Sequence, residues 1–94
     1  MDVVVRGRNV PSDLRRTAER KLERLERMVR DVSRAEVDFS EEHNPRIACR
    51  YRCAVIVHRR HAAVTAHAAA PLPEVALDLV VDKVRHQVTR HKGR

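Results

Sequence analysis

The chain has 94 residues, 43% of them hydrophobic and 35% charged, a mixture typical of one globular domain and unlike a disordered chain. Its formal net charge of +7 and pI near 10.7 favour an anionic partner such as a nucleic acid. The excess is uneven: residues 1–32 carry nine basic and six acidic side chains, residues 33–58 four of each, and residues 59–94 seven basic and three acidic.

The N-terminal sequence MDVVVRGRNV lacks the long apolar stretch of a secretion signal. No apolar run approaches the roughly 20 residues that a membrane span needs. We therefore expect a cytoplasmic protein with no membrane partner. The two cysteines, Cys49 and Cys53, do not suggest a disulfide framework, and we expect both to be small core residues.

The first part of the chain is predicted to form a short strand and then a helix. Val3 and Val5 alternate with Val4 and Arg6 before Gly7, which reads as a short strand that Pro11 ends. Ser12 is predicted to cap a helix that runs from Leu14 to about Arg30. The apolar residues of this helix recur at three- and four-residue spacing: Leu14, Ala18, Leu22, Leu25 and Val29.

The outer face of this helix is predicted to carry two charged stripes. At about 100° per residue, one stripe lies opposite the apolar side and is basic: Arg16, Arg20, Arg24 and Arg27. The stripe beside it is acidic: Glu19, Glu23 and Glu26. The arginines are therefore sorted by face rather than scattered.

Three strands are predicted in the middle of the chain. The second strand alternates through Ala35, Val37 and Phe39, and the sequence EEHNPR at residues 41–46 reads as a turn. The third strand turns six residues inward: Ile47, Cys49, Tyr51, Cys53, Val55 and Val57. Arg59 and Arg60 form the predicted hairpin tip, which we place at the edge away from the helices, or at their rim. The fourth strand turns Val64, Ala66 and Ala68 inward.

A second helix is predicted to start at Pro73, which suits a first helical turn, and to end at about His91. Its core stripe contains Leu77, Val80, Val81, Val84 and Val88. The order β-α-β-β-β-α favours a parallel pairing of the first two strands and hairpins for the rest. We therefore predict an α+β two-layer sandwich, with a four-stranded mixed sheet and both helices on one face, similar to the double-stranded-RNA-binding fold.

The sequence offers little support for catalysis, so we predict no enzyme, no cofactor and no small-molecule substrate. There is no phosphate-binding glycine loop, no GxSxG and no HExxH. The six histidines have no spacing that suggests a metal site, because His58 and His61 flank a hairpin tip and His86 and His91 point to different sides of a helix.

Binding to the backbone of folded RNA fits the composition better. The chain has one Phe and one Tyr, both predicted to point inward, so it offers no aromatic platform for stacking bases. Arginines and lysines that contact phosphates remain. With both helices on one sheet face, their outer faces could merge into one basic patch. The alternative is a merely solvated charged surface.

Three segments resemble the ribosome hibernation promoting factor family, also called the ribosome-associated inhibitor A, light-repressed protein or sigma-54 modulation protein family. They are VVVRGRNV, LRRTAERKLERLERM and LDLVVDKVRHQVTRHKGR. The family pattern has a strand that ends in G-x-N, which Gly7 and Asn9 match. Its first helix is matched by Leu14, Arg15, Lys21, Leu22, Arg24, Leu25 and Glu26. Its last helix is matched by Leu77, Asp78, Asp82, Lys83, Val84, Gln87, Val88, Arg90 and Lys92.

The resemblance implies a non-enzymatic protein that binds rRNA of the small ribosomal subunit in the channel used by mRNA and the A- and P-site tRNAs. Such proteins silence translation and protect idle ribosomes during stasis and stress. The family's basic contact positions map onto Arg15, Lys21, Arg24, Lys83, His86, Arg90 and Lys92. Together with Arg16 and Arg20 from the basic stripe, these are the predicted rRNA-binding residues.

Three departures from the family pattern stand out. The link between Asn9 and Leu14 is about two residues shorter, the sequence APLPE replaces an acidic-Met-Tyr turn, and His86 stands where Arg is commoner. Long members continue into a C-terminal dimerisation domain, so we expect either a short member or the N-terminal domain of a longer one. Two alternatives remain open: a structured-RNA-binding domain that acts off the ribosome, and an interaction module for an acidic protein.

Overall fold

The computed structural model describes residues 2–29, 31–48 and 50–92, with the side chains of the last helix described as far as Thr89. The elements follow the predicted order: β1 (Asp2–Arg6), α1 (Ser12–Met28), β2 (Val32–Glu41), β3 (Tyr51–Arg59), β4 (Ala63–Ala70) and α2 (Pro73–Lys92). The sheet order is β1-β2-β3-β4, with β1 parallel to β2 and the other pairs antiparallel. The predicted mixed sheet is confirmed.

Both helices pack on the same face of the sheet, as predicted, and one apolar layer fills the space between them. Alternate strand residues enter this layer, among them Val37 and Val55, which are fully buried. The helices contribute Leu22 from α1 and Leu77 and Val84 from α2, also fully buried. Val, Leu and Ala dominate this layer, so it is held by apolar burial.

Several predicted boundaries were wrong, and local hydrogen bonds explain why. Ile47 lies in an exposed loop rather than in β3, because its N–H donates to the Asn44 carbonyl and turns the chain. Cys49 lies outside the described residues. Ser12 is the first helical residue rather than the cap, since the extended Pro11 precedes α1 and no side chain caps it. Helix α1 ends at Met28, because Val29 becomes extended and buries its side chain in the core.

The turn after β1 explains the spacing of Gly7 and Asn9. Gly7 has a φ of 141°, and a Cβ there would lie 2.7 Å from the Phe39 carbonyl oxygen. Asn9 has a φ of 53°, a left-handed conformation that Asn tolerates better than most residues. The short link between β1 and α1 therefore needs both residue types where they stand.

Helix side chains cover the two outer strands of the sheet. On β1, Nη1 of Arg15 donates to the Val5 carbonyl oxygen at 3.0 Å. On β4, Nζ of Lys83 donates to the His67 carbonyl at 3.0 Å and Nε2 of Gln87 to the Thr65 carbonyl at 3.3 Å. Strand β4 reads AVTAHAAA and has no charged residue or proline of its own, the usual protections of an edge strand. Its protection comes from α2.

None of the described helices is both long and apolar enough to cross a membrane.

We predict that Val84→Ala lowers the free energy of unfolding by about 1–3 kcal/mol, because it leaves a cavity at a fully buried position. Val75→Ala is the matched control: it lies on the same helix but is 40% exposed, and it should cost less than about 0.5 kcal/mol. Urea unfolding of both variants measures the difference. Equal losses would contradict this packing of α2.

Candidate nucleic-acid interface

The outer face of α1 presents the predicted basic stripe to solvent. Arg16, Arg20 and Arg24 are all exposed. Among the described residues, none of the three has a carboxylate within ion-pair distance; Nη2 of Arg20 only contacts Oγ1 of Thr17, at 3.4 Å. These guanidinium groups are therefore available to an external anion.

Acidic side chains flank this stripe, as predicted. Glu23 is exposed, whereas Glu19 and Glu26 are half-buried. Helix α1 thus carries six basic and four acidic residues. The carboxylates lower the potential along one side of the stripe, so an anion would approach the arginines from the other side.

Three other predicted contact residues are already engaged within the fold. Arg15 and Lys83 donate to the edge carbonyls described above. Lys21 reaches across to α2, where its Nζ lies 2.8 Å from Oδ1 of Asp78. These cations combine a structural contact with any role at the surface.

The junction between the two helices interrupts the basic patch expected from the sequence. A shallow groove there is lined by cations, carboxylates and apolar side chains: Lys21, Arg24, Leu25, Met28, Asp78, Leu79, Val81, Asp82 and Arg85. Asp78 pairs with Lys21, and Asp82 pairs with Arg85. Two carboxylates therefore stand between the outer faces of α1 and α2.

The remaining predicted residues lie on α2. His86 is exposed, with Nε2 3.8 Å from Oδ2 of Asp82. The backbones of Arg90 and Lys92 belong to the last turn of α2, and their side chains lie outside the described part of the chain. The structure thus brings Arg16, Arg20 and Arg24 together on α1 and places Lys83 and His86 on the far side of the groove.

The sequence pattern did not reveal which basic side chains near the helix junction form ion pairs with carboxylates. The pairing of Asp82 with Arg85 follows the i,i+3 spacing of a helix and could have been found. The pairing of Lys21 with Asp78 depends on how two distant helices pack, and neither segment carries a local signal of it.

Three basic side chains on the open face of the sheet surround one carboxylate. Oε2 of Glu36 lies 2.6 Å from Nε2 of His58, and its Oε1 lies 3.1 Å from Nη1 of Arg6 and 3.8 Å from Nη2 of Arg34. The hydrogen bond with His58, together with the two arginine charges, lowers the pKa of Glu36 against the opposing effect of its burial. Glu36 thus neutralises part of the positive charge of this face.

Neither metal binding nor thiol chemistry finds support among the described residues. No group of three His, Cys, Asp or Glu side chains there could hold a metal ion. Cys53 is fully buried, and burial, helped by the charge of Asp38, raises the pKa of its thiol to about 12. It is therefore a small core residue, as predicted, and is unreactive near neutral pH.

Comparison with known proteins gives a family and a fold. The family model described as "Sigma 54 modulation protein / S30EA ribosomal protein" matches residues 2–94. A ribosomal subunit interface protein from Coxiella burnetii superposes with a TM-score of 0.84 at 20% identity, over 100% of both chains. The N-terminal domain of Protein Y from Thermus thermophilus gives 0.80 at 26% identity, over 97% of this chain and 99% of that one. A comparison with curated proteins gave no match.

The depressed pKa of Glu36 predicts a specific dependence of stability on pH. A carboxyl whose folded pKa lies below its unfolded value of about 4.5 stabilises the fold above that pH and loses this contribution as the pH falls through the folded pKa. Glu36→Gln should therefore be less stable than the wild type above the unfolded pKa of about 4.5, with the gap closing as the pH falls through the lowered folded pKa.

Urea unfolding across this range measures the gap. Glu41→Gln is the control, because Glu41 is exposed at the end of the same strand and has no ion pair among the described residues. A constant gap between Glu36→Gln and the wild type at every pH would contradict the assigned cluster.

Proposed function

Because the chain belongs to the sigma 54 modulation protein / S30EA ribosomal protein family, we propose that it binds the ribosome as a hibernation factor. It occupies the mRNA and A- and P-site tRNA channel of the small subunit and thereby blocks translation. A protein with this role works in the cytoplasm, needs no cofactor and catalyses no reaction.

The observation that carries this proposal is the unpaired basic stripe of α1. Arg16, Arg20 and Arg24 extend along one exposed helix face with no carboxylate partner among the described residues. Their planar guanidinium groups suit bidentate hydrogen bonds to phosphate oxygens. A helix face about two turns long can thus contact successive phosphates of folded rRNA.

The protein reads the shape of the RNA backbone rather than its bases. Phe39 is buried and Tyr51 half-buried in the sheet, so neither aromatic ring forms an exposed platform for base stacking. Phosphate contacts give affinity and orientation with little sequence information. This mode suits a factor that must bind every ribosome in the same place.

The engaged cations play a second part in this interface. Arg15, Lys21 and Lys83 each retain free N–H donors beyond the one that they use within the fold. Their positions are fixed by those contacts, so they lose less side-chain entropy when they meet a phosphate. We propose that His86, Arg90 and Lys92 of α2 also contribute to ribosome binding.

We predict that the triple change Arg16→Gln, Arg20→Gln and Arg24→Gln weakens binding to purified small subunits. The slope of log K against log salt should fall by roughly 0.7–0.9 for each phosphate that the variant no longer neutralises. The change lies on an exposed face, so the thermal midpoint should stay close to that of the wild type. Co-sedimentation at several salt concentrations measures both affinity and slope.

The matched control removes an equal number of positive charges from the opposite face: Arg6→Gln, Arg34→Gln and Arg52→Gln. It separates direct contact from the effect of net charge alone. If both triple variants lose affinity equally, the α1 stripe is not the contact surface. Naked duplex RNA and an acidic protein as competitors test the two alternative partners, and preferential binding to either would replace the ribosome in this proposal.

A further inference from the structure

The helices account for less than half of the excess positive charge. Helix α1 carries six basic and four acidic residues, and α2 carries four and three. Together they supply three of the seven excess charges of the chain. The other four lie in strands, turns and termini, where the outer faces of the helices do not reach. Any second cationic surface would therefore be formed by residues outside the two helices or at their ends.

The topology brings several cation-bearing segments to one end of the molecule. Strand β2 starts where β3 ends, since Val32 pairs with Arg59, so the end of α1 lies near the β3–β4 turn at residues 60–62. Lys83 contacts His67, and Gln87 contacts Thr65. From Lys83 to Gln87 the helix advances by four residues, about 6 Å. Their partners on β4 run back by two residues, from His67 to Thr65, which is about 6.6 Å.

Continuing this register places the last turn of α2 beside the β3–β4 turn. One further helical turn beyond Gln87 corresponds to Ala63, the first residue of β4. The turn at residues 60–62 follows directly. Of the two places predicted for Arg59 and Arg60, the edge away from the helices and their rim, the register favours the rim, next to the helix ends.

The β3–β4 turn is held in place by hydrogen bonds that leave its tip free. The backbone N–H of Arg59 donates to the Ala62 carbonyl at 2.8 Å. Nε of Arg59 donates to both carboxylate oxygens of Asp31, at 3.1 and 3.3 Å. This pair neutralises the Asp31 carboxylate, while Arg60 and His61 remain exposed.

Arg27 adds a third exposed group at this end. It lies in the last turn of α1, where a cation also offsets the negative end of the helix dipole. Arg60 lies outside any helix, so the dipole does not account for it. Among the described residues, neither arginine has a carboxylate within ion-pair distance.

We propose that Arg27, Arg60 and His61 form a second phosphate-binding surface, the end surface, which contacts the rRNA backbone at one tip of the molecule. It rests on the proposed ribosome binding and extends it from the last turn of α1 onto the β3–β4 turn. The turn lies at the end of the β3–β4 hairpin, so a contact there would resist tilting that a contact on the helix side alone allows. The Asp31–Arg59 pair fixes the turn in the required position.

The test is the double variant Arg60→Gln and His61→Gln. Binding to purified small subunits should weaken by roughly three- to tenfold near 100 mM salt, and the slope of log K against log salt should fall by about 0.7–0.9. The matched control is His43→Gln with Arg46→Gln, an exposed His and Arg in the β2–β3 loop at the opposite end of the sheet. It should bind like the wild type.

The outcomes separate this inference from the proposed function. If the end-surface variant binds like its control while the α1 triple variant loses affinity, the end surface is wrong and the ribosome-binding role stands. If the wild-type chain fails to bind small subunits, both proposals fall. Circular dichroism and the thermal midpoint confirm that each variant is folded, so weaker binding reports on the interface itself.

Discussion

One apolar layer between a single sheet face and two helices determines how the rest of this molecule is arranged. Burying Val37, Val55, Leu22, Leu77 and Val84 in the same layer forces both helices to one side. Their outer faces then form one surface of the protein, and the opposite sheet face stays in water. Interface, open face and sheet edges are all consequences of where that layer lies.

The apolar layer leaves one sheet face and the sheet edges uncovered, and polar contacts satisfy groups exposed there. On the open face, Glu36 holds Arg6, Arg34 and His58 together and neutralises part of their positive charge. At the edges, helix side chains cap outward carbonyls. Charge thus differs by location: Arg6, Arg34 and His58 on the open face share Glu36, whereas Arg16, Arg20 and Arg24 on α1 have no carboxylate partner in the part of the chain that the structure describes.

Apolar periodicity was sufficient to predict the fold. The alternation of Val and Ala in β2 and β4, and the helical spacing around Leu22 and Val84, report burial directly, so the element order and the layering could be inferred. Boundaries were less accessible, because the loop at Asn44 ends β-pairing through backbone and side-chain hydrogen bonds that hydropathy does not record. The identity of the surface cations was readable as well. Their availability was not, since the Lys21–Asp78 pair forms only when the two helices pack.

The capped edges have a consequence for how binding would be transmitted through the chain. An ammonium has three N–H donors and a guanidinium five, so Lys83 and Arg15 can keep their edge carbonyls while they meet a phosphate. A bound anion would then tie each helix more firmly to its outer strand rather than pull it away. Opening of β1 and β4 would become rarer, and their amide hydrogens would exchange more slowly. The edge strands β1 and β4 would thus gain the most protection against amide exchange when an anion binds to the helices.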